Sequence, residues 1–238
     1  MAKVLNIKNC PAACYLRLSV PEIKQAAAGQ FVMVKCGEAL LERPLGVASF
    51  CDGEMLLVFA VKGKGTKWLA QREVGDEVIV RGAFGRGFPD IDGRILLVGG
   101  GLGLPPLFYA AQSFDCDVAM GFRNKDNVIL LSEFSDACRN VAVATDDGSL
   151  GVHGNALLAA EKLLEKNQYS AVFACGPHPL LRAVKAWASD KDLQCWVSLE
   201  ERMACGIGAC SVCACASGDT YKRVCKDGPV FSADEVEL

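Results

Sequence analysis

The stretch ERMACGIGACSVCACASGDTYKRVC, residues 201–225, holds five cysteines within twenty-one residues. It constrains the fold more than any other feature. The segment 201–238 is too short to bury a core of its own, so it needs a staple, either disulfides or a metal centre. The spacing is Cys205-x4-Cys210-x2-Cys213-x11-Cys225. C-x4-C-x2-C with a distant fourth cysteine is the plant-type [2Fe–2S] spacing. Gly206 and Gly208 permit the backbone angles that turn N–H groups toward anionic sulfur, and Ala204 and Ala209 leave room for close approach. A four-cysteine zinc site usually carries two C-x2-C knuckles, and only one is present. Cys215 falls outside the spacing and reads as a free thiol beside the cluster.

The other eight of the thirteen cysteines are Cys10, Cys14, Cys36, Cys51, Cys116, Cys138, Cys175 and Cys195. Most lie in or beside apolar runs and read as reduced, buried small hydrophobes; Cys175 stands apart because of the motif around it. Formal net charge is −3, with no basic stripe interleaved with aromatics, so nucleic acid is not an expected partner. MAKVLNIKNCPAAC lacks the apolar run of a signal peptide. The longest apolar stretches are broken by glycine and proline and are too short to span a bilayer. A soluble cytoplasmic protein that does not engage a membrane is expected.

The chain changes periodicity twice. Over 1–92, six short β-rich runs (VLNIKNC, ACYLRLSV, GQFVMVKC, RPLGVASF, EMLLVFAVKG, DEVIVRG) are separated by turn residues, with one short helix, TKWLAQREV, between the last two. Such spacing predicts a six-stranded antiparallel β-barrel. Over 93–200, strands such as RILLVGGG, CDVAMGF, NVAVAT, YSAVFAC and QCWVSLE alternate with helical stretches such as LPPLFYAAQSF, NALLAAEKLLEKN and HPLLRAVKAWASD. Alternation of this kind predicts an α/β domain with a parallel sheet. Its ligand crevice should lie beyond the carboxyl ends of the strands, where GGGLGLPP and CGPHP fall. Residues 201–238 form the third, cluster-carrying segment.

SLEERMACGIGAC followed by YKRVCKDGPVF closely resembles the electron-transfer subunits of class 1B dihydroorotate dehydrogenase, and the resemblance covers nearly the whole chain. VGGGLGLPPL, ATDDGSLG and CGPHPLL are similar to further motifs of that family. The resemblance implies the ferredoxin-reductase superfamily: an FAD-binding barrel, an NAD-binding α/β domain and a C-terminal [2Fe–2S] domain. It implies Cys205, Cys210, Cys213 and Cys225 as cluster ligands. The family's R-P-x-S flavin motif matches Arg43-Pro44-Leu45-Gly46, and its G-x-G-T turn matches Gly63-Lys64-Gly65-Thr66. An arginine can grip a diphosphate through two N–H groups, and a glycine turn opening a helix presents N–H groups to phosphate. There are two departures. Gly46 stands where the family has serine, which removes a hydroxyl expected near the flavin. Val58, Phe59 and Ala60 precede the glycine turn where the family tends to carry an aromatic–arginine pair, and the arginine is missing.

For NAD, the resemblance implies Gly100, Gly101, Gly103 and Pro105 in the first loop, with Gly176 and Pro177 in the second. It places Cys175 near the nicotinamide ring, where hydride passes to or from flavin. Arg123 and Lys125 follow the second strand of the α/β domain, where a 2′-phosphate would be read; two surface basic residues do not distinguish NADP from NAD, and the family points to NAD. Asp146 and Asp147 read as a solvated turn.

Hydride carriers move two electrons and iron–sulfur clusters one; a flavin can do both and belongs between them. The chain has only two histidines, His153 and His178, and no visible base or second flavin motif for an organic substrate. The resemblance therefore implies a partner, the FMN-containing catalytic subunit that oxidises dihydroorotate in pyrimidine biosynthesis, in a heterotetramer of two copies of each. Two other readings stay open. One is a related subunit of an NADH-dependent ferredoxin:NADP+ oxidoreductase or a sulfide dehydrogenase, in which an aspartate tends to replace the first cysteine. The other is a zinc-stapled, non-enzymatic interaction module.

Overall fold

A computed structural model describes residues Met1–Leu238. The first seven strands are β1 (Ala2–Asn9), β2 (Cys14–Ser19), β3 (Phe31–Val34), β4 (Arg43–Cys51), β5 (Glu54–Phe59), β6 (Glu77–Val78) and β7 (Val80–Phe84), in the sheet order β6-β1-β2-β5-β4-β3-β7. Every pairing among them is antiparallel. The sixth β-rich run of the sequence is divided at Ile79. Its first part pairs with β1 and its second with β3, while the Ile79 carbonyl accepts the Lys35 N–H at 3.0 Å. One run therefore bonds to both ends of the sheet and brings it back on itself. Helix α1 (Lys64–Ala70) lies between β5 and β6 as the sequence predicts.

Period-two burial explains the strands. In β2, Cys14, Leu16 and Leu18 point inward while Tyr15 and Ser19 are half-buried and Arg17 is exposed. Strand β3 is buried on both faces. Val32 and Val34 fill the barrel with Leu16 and Leu57, whereas Phe31 and Met33 point the other way, into a core shared with Leu96, Cys213, Cys225 and Phe231.

The second sheet has the order β11-β10-β9-β8-β12-β13-β16, built from β8 (Ile95–Gly100), β9 (Cys116–Phe122), β10 (Val141–Thr145), β11 (Val152–His153), β12 (Ala171–Cys175), β13 (Gln194–Ser198) and β16 (Val230–Ser232). All pairs are parallel except β13–β16. Helices α2 (Leu104–Ala111), α3 (Leu131–Ala137), α4 (Ala156–Leu164) and α5 (His178–Asp190) cover its faces. At the end opposite the crevice, fully buried Asp117 is paired with Arg94 at 2.6 Å and accepts from Asn140 and the Tyr169 hydroxyl. A carboxylate removed from water requires this set of donors.

The third segment contains the hairpin β14 (Ala214–Ser217) and β15 (Thr220–Arg223), then α6 (Val224–Asp227) and β16. Strand β16 joins the α/β sheet, with Val197 opposite Phe231. The segment thus buries its apolar residues against the sheet edge. No helix is long and apolar enough to cross a membrane.

Candidate functional site

Three constellations of residues stand out. The first is the flavin motif. Arg43 opens β4, and its Nη1 donates to the Leu41 carbonyl at 2.5 Å and the Glu42 carbonyl at 3.4 Å. Its guanidinium lies over the first turn of α1: a Cβ at Gly65 would stand 2.9 Å from Arg43 Nε. A side chain at Gly65 would displace the guanidinium from this position. The Thr66 hydroxyl accepts from the Lys62 and Gly63 N–H groups at 2.9 and 3.1 Å, which locks the turn. The fold therefore brings together an arginine and a helix N-terminus separated by twenty residues of sequence. Both favour a phosphate. Pro44, Leu45, Gly46 and Ala60 are half-buried, whereas the Val58 and Phe59 side chains are committed to the cores. Gly46 has a packing reason. A Cβ there would lie 2.7 Å from Cγ of Pro106, in the first turn of α2. Gly46 thus lies at a contact between barrel and α/β domain that leaves no room for the serine side chain.

The second constellation is a cleft of about 730 Å³ at the carboxyl ends of β8, β9, β12 and β13. Of the residues expected from the sequence, Gly100, Gly101, Gly103, Pro177 and Arg123 line it. Gly101 has φ +52°, and a Cβ at Gly103 would fall 2.2 Å from the Cys175 carbonyl oxygen. The loops that follow β8 and β12 are therefore in backbone contact. Pro105 is buried in α2, and Gly176, at φ +154°, packs toward Leu180. Cys175 is 1 % exposed beneath the loop, and burial, followed by the Glu200 charge, pushes its thiol well above the usual range. The turn offers the cleft the Pro177 ring. Lys125 does not line the cleft. Asp146 does, while Asp147 is held below the usual carboxylate range by its bonds to Ser149 and stays at the surface. Lys62, Asn155 and Glu200 line the cleft without having been singled out in the sequence. Glu200 had a usable signal: it stands just past a strand's carboxyl end.

The third constellation is the cysteine turn. Cys205 Sγ accepts the Ala209 N–H at 3.3 Å and lies 3.4 Å from Cys210 Sγ. Cys225 Sγ accepts the Gly208 N–H at 3.1 Å, and the Cys225 N–H reaches Cys213 Sγ at 3.4 Å. Gly206 at φ +73° and Gly208 at φ +82° make this possible. A Cβ at Gly206 would strike Met33 Cγ at 2.7 Å. Backbone N–H groups, that of Ile207 first, lower the Cys205 thiol to about 6. Cys225 is raised, first by burial and then by neighbouring Cys213. Inward N–H groups with mutually repelling sulfurs suit a positively charged iron centre, so the donor set fits a cluster. Cys215 lies on β14 opposite Lys222, half-buried, and none of these N–H groups reaches it.

Residues 200–237 match the family described as the iron–sulfur cluster binding domain of dihydroorotate dehydrogenase B. Two relatives are each named the electron transfer subunit of dihydroorotate dehydrogenase B (NAD(+)). The one from Caldanaerobacter subterraneus subsp. tengcongensis is 38% identical, covering 99% of this chain and 97% of the relative. The one from Geobacillus kaustophilus is 41% identical, covering 92% and 89%. Among solved structures, one of an NADH-dependent reduced ferredoxin–NADP oxidoreductase superposes with a TM-score of 0.91 at 28% identity, over all of this chain and 90% of that one. The ferredoxin reductase of carbazole 1,9a-dioxygenase shares the fold, with a TM-score of 0.67 at 20% identity over 81% of this chain and 65% of that one.

Proposed function

We infer, from a chain that belongs to the family of dihydroorotate dehydrogenase B electron-transfer subunits, that it carries electrons between a catalytic partner subunit and NAD by means of FAD and a [2Fe–2S] cluster. It is an oxidoreductase subunit, and its place is in pyrimidine biosynthesis. The observation that carries the reading is one of adjacency. Met33 of β3 packs against the cysteine turn at Gly206 and is paired in register with Pro44 of the flavin motif on β4.

FAD, when bound, exchanges two electrons with a nicotinamide and one with a cluster. Everything else is the work of this chain's residues. Arg43 and the N–H groups opening α1 grip the diphosphate of FAD, with Pro44, Leu45, Gly46 and the backbone of Val58, Phe59 and Ala60 along the flavin. Gly100, Gly101, Gly103 and Pro177 admit NAD to the cleft close to backbone, and Pro105 and Gly176 hold the loops together. Cys175 acts from beneath, fixing the nicotinamide turn. Arg123 at the rim meets the adenosine end of NAD. Cys205, Cys210, Cys213 and Cys225 hold the cluster.

The partner is the FMN-containing dihydroorotate-oxidising subunit, in an assembly of two copies of each chain in the cytoplasm. Its approach is to the cysteine turn, where Ile207, Val212 and Tyr221 are 55%, 56% and 76% exposed. Exposed apolar side chains around a redox turn suit a partner that excludes water from it. The test is reconstitution. The purified chain should reduce an artificial acceptor with NADH and give no turnover of dihydroorotate with NAD+. Adding the FMN subunit should create that turnover, and Cys210→Ser should abolish it while sparing the NADH–acceptor reaction. Dihydroorotate oxidation by the chain alone would refute the division of labour.

A further inference from the structure

We propose that Glu42 and Arg81 form a clasp that positions the first-ligand turn against the flavin strand and tunes the reduction potential of the cluster held there. The proposal rests on the reading of Cys205, Cys210, Cys213 and Cys225 as ligands.

The clasp joins three stretches of chain. Glu42 directly precedes Arg43, whose guanidinium donates to the Glu42 carbonyl at 3.4 Å. The Glu42 carboxylate takes the fork of Arg81, with Nη2 to Oε2 at 2.6 Å and Nε to Oε1 at 3.1 Å. The same Arg81 Nη2 reaches the carbonyl of Cys205 at 3.4 Å. Its guanidinium also stands 5.7 Å from the centre of the Phe84 ring, and Phe84 borders Gly206. In register, Pro44, Met33 and Arg81 form one row across β4, β3 and β7, so Arg81 ends a row that begins in the flavin motif.

An exposed ion pair contributes little to stability, and Arg81 is 43% exposed. Its placement matters for another reason. A cluster held by four thiolates is anionic, and its potential responds to local charge and hydrogen bonding. Arg81 favours the added electron, and Glu42 opposes it. The two charges act in opposite senses, so removing either should move the potential, and in opposite directions.

The experiment is a redox titration of the cluster in the loaded full-length chain, followed by electron paramagnetic resonance. Arg81→Gln should lower the potential, because the Glu42 carboxylate is left uncompensated beside the cluster. Glu42→Gln should raise it. Arg81→Lys keeps the charge, so its potential should stay close to that of the unaltered chain. A residue that only braced the fold would change thermal stability without opposite shifts of potential. Shifts of the same sign, or unchanged potentials on an intact cluster, would overturn the clasp alone. An unaltered chain with no [2Fe–2S] signal would overturn the clasp together with the ligand reading.

Discussion

Replacing Gly46 by serine tests whether the barrel and the α/β domain are fitted to each other at one contact. A Cβ at this position would stand 2.7 Å from Cγ of Pro106. Carbon atoms pack at about 3.5–4.0 Å, so β4 and α2 must part by roughly 1 Å, or the Pro106 ring must move. Neither yields easily. Gly46 lies in a strand paired on both sides, and Pro106 is in the first turn of a helix whose Tyr109 hydroxyl bonds the Ala26 carbonyl of the barrel at 2.8 Å. Overpacking of this kind costs about 1–3 kcal/mol. For a chain of this size that is a fall of about 2–12 °C in melting temperature. Pro106→Ala removes Cγ and Cδ and opens the space. The double variant Gly46→Ser/Pro106→Ala should therefore recover most of the loss, with a coupling of about 1–2 kcal/mol. Thermal unfolding of the four proteins, each saturated with flavin, measures it. A Gly46→Ser chain as stable as the original, or losses that simply add in the double variant, would refute the packing explanation for the missing serine.

Two further outcomes follow from contacts in the site. Gly103→Ala would set a Cβ 2.2 Å from the Cys175 carbonyl oxygen, against backbone that cannot swing aside; it should raise the KM for NADH and lower stability by about 1–3 kcal/mol, read by steady-state kinetics and denaturant unfolding. Serine at Cys205, Cys210, Cys213 or Cys225 should remove the [2Fe–2S] absorption, whereas Cys215→Ser, altering a β14 thiol that none of the ligand-turn N–H groups reaches, should keep it.

The features legible in the sequence are those with a local cause. Spacing and glycine placement around Cys205–Cys213 anticipate a turn whose N–H groups face sulfur, and that turn is present. Alternation in runs such as Tyr15–Ser19 marks the barrel strands, and strand–helix alternation marks the parallel sheet. What could not be read depends on residues distant in sequence. Strand β16 is three residues long, too short for a period, and it forms because β13 offers an open edge. β11 has two residues and depends on β10 in the same way. Ile79 looks like any strand residue; only the meeting of β1 and β3 beside it divides the run. Gly46 registers in the sequence as a departure from a motif, and its reason is a proline sixty positions on. Arg81 carries no motif at all, and its partners lie 39 and 124 residues away. Contact of Gly103 with the Cys175 carbonyl joins two loops more than seventy residues apart and is likewise invisible in CGPHP.

One chain joins a two-electron carrier to a one-electron centre. Anaerobic titration of the purified chain with NADH tests it most directly, following flavin absorbance and the paramagnetic signal of the reduced cluster together. FAD takes two electrons and the cluster one, so full reduction should consume about one and a half equivalents of NADH per chain. Both signals should respond, and in Cys210→Ser only the flavin should. A chain whose flavin is bleached by NADH while an intact cluster stays oxidised would contradict the account.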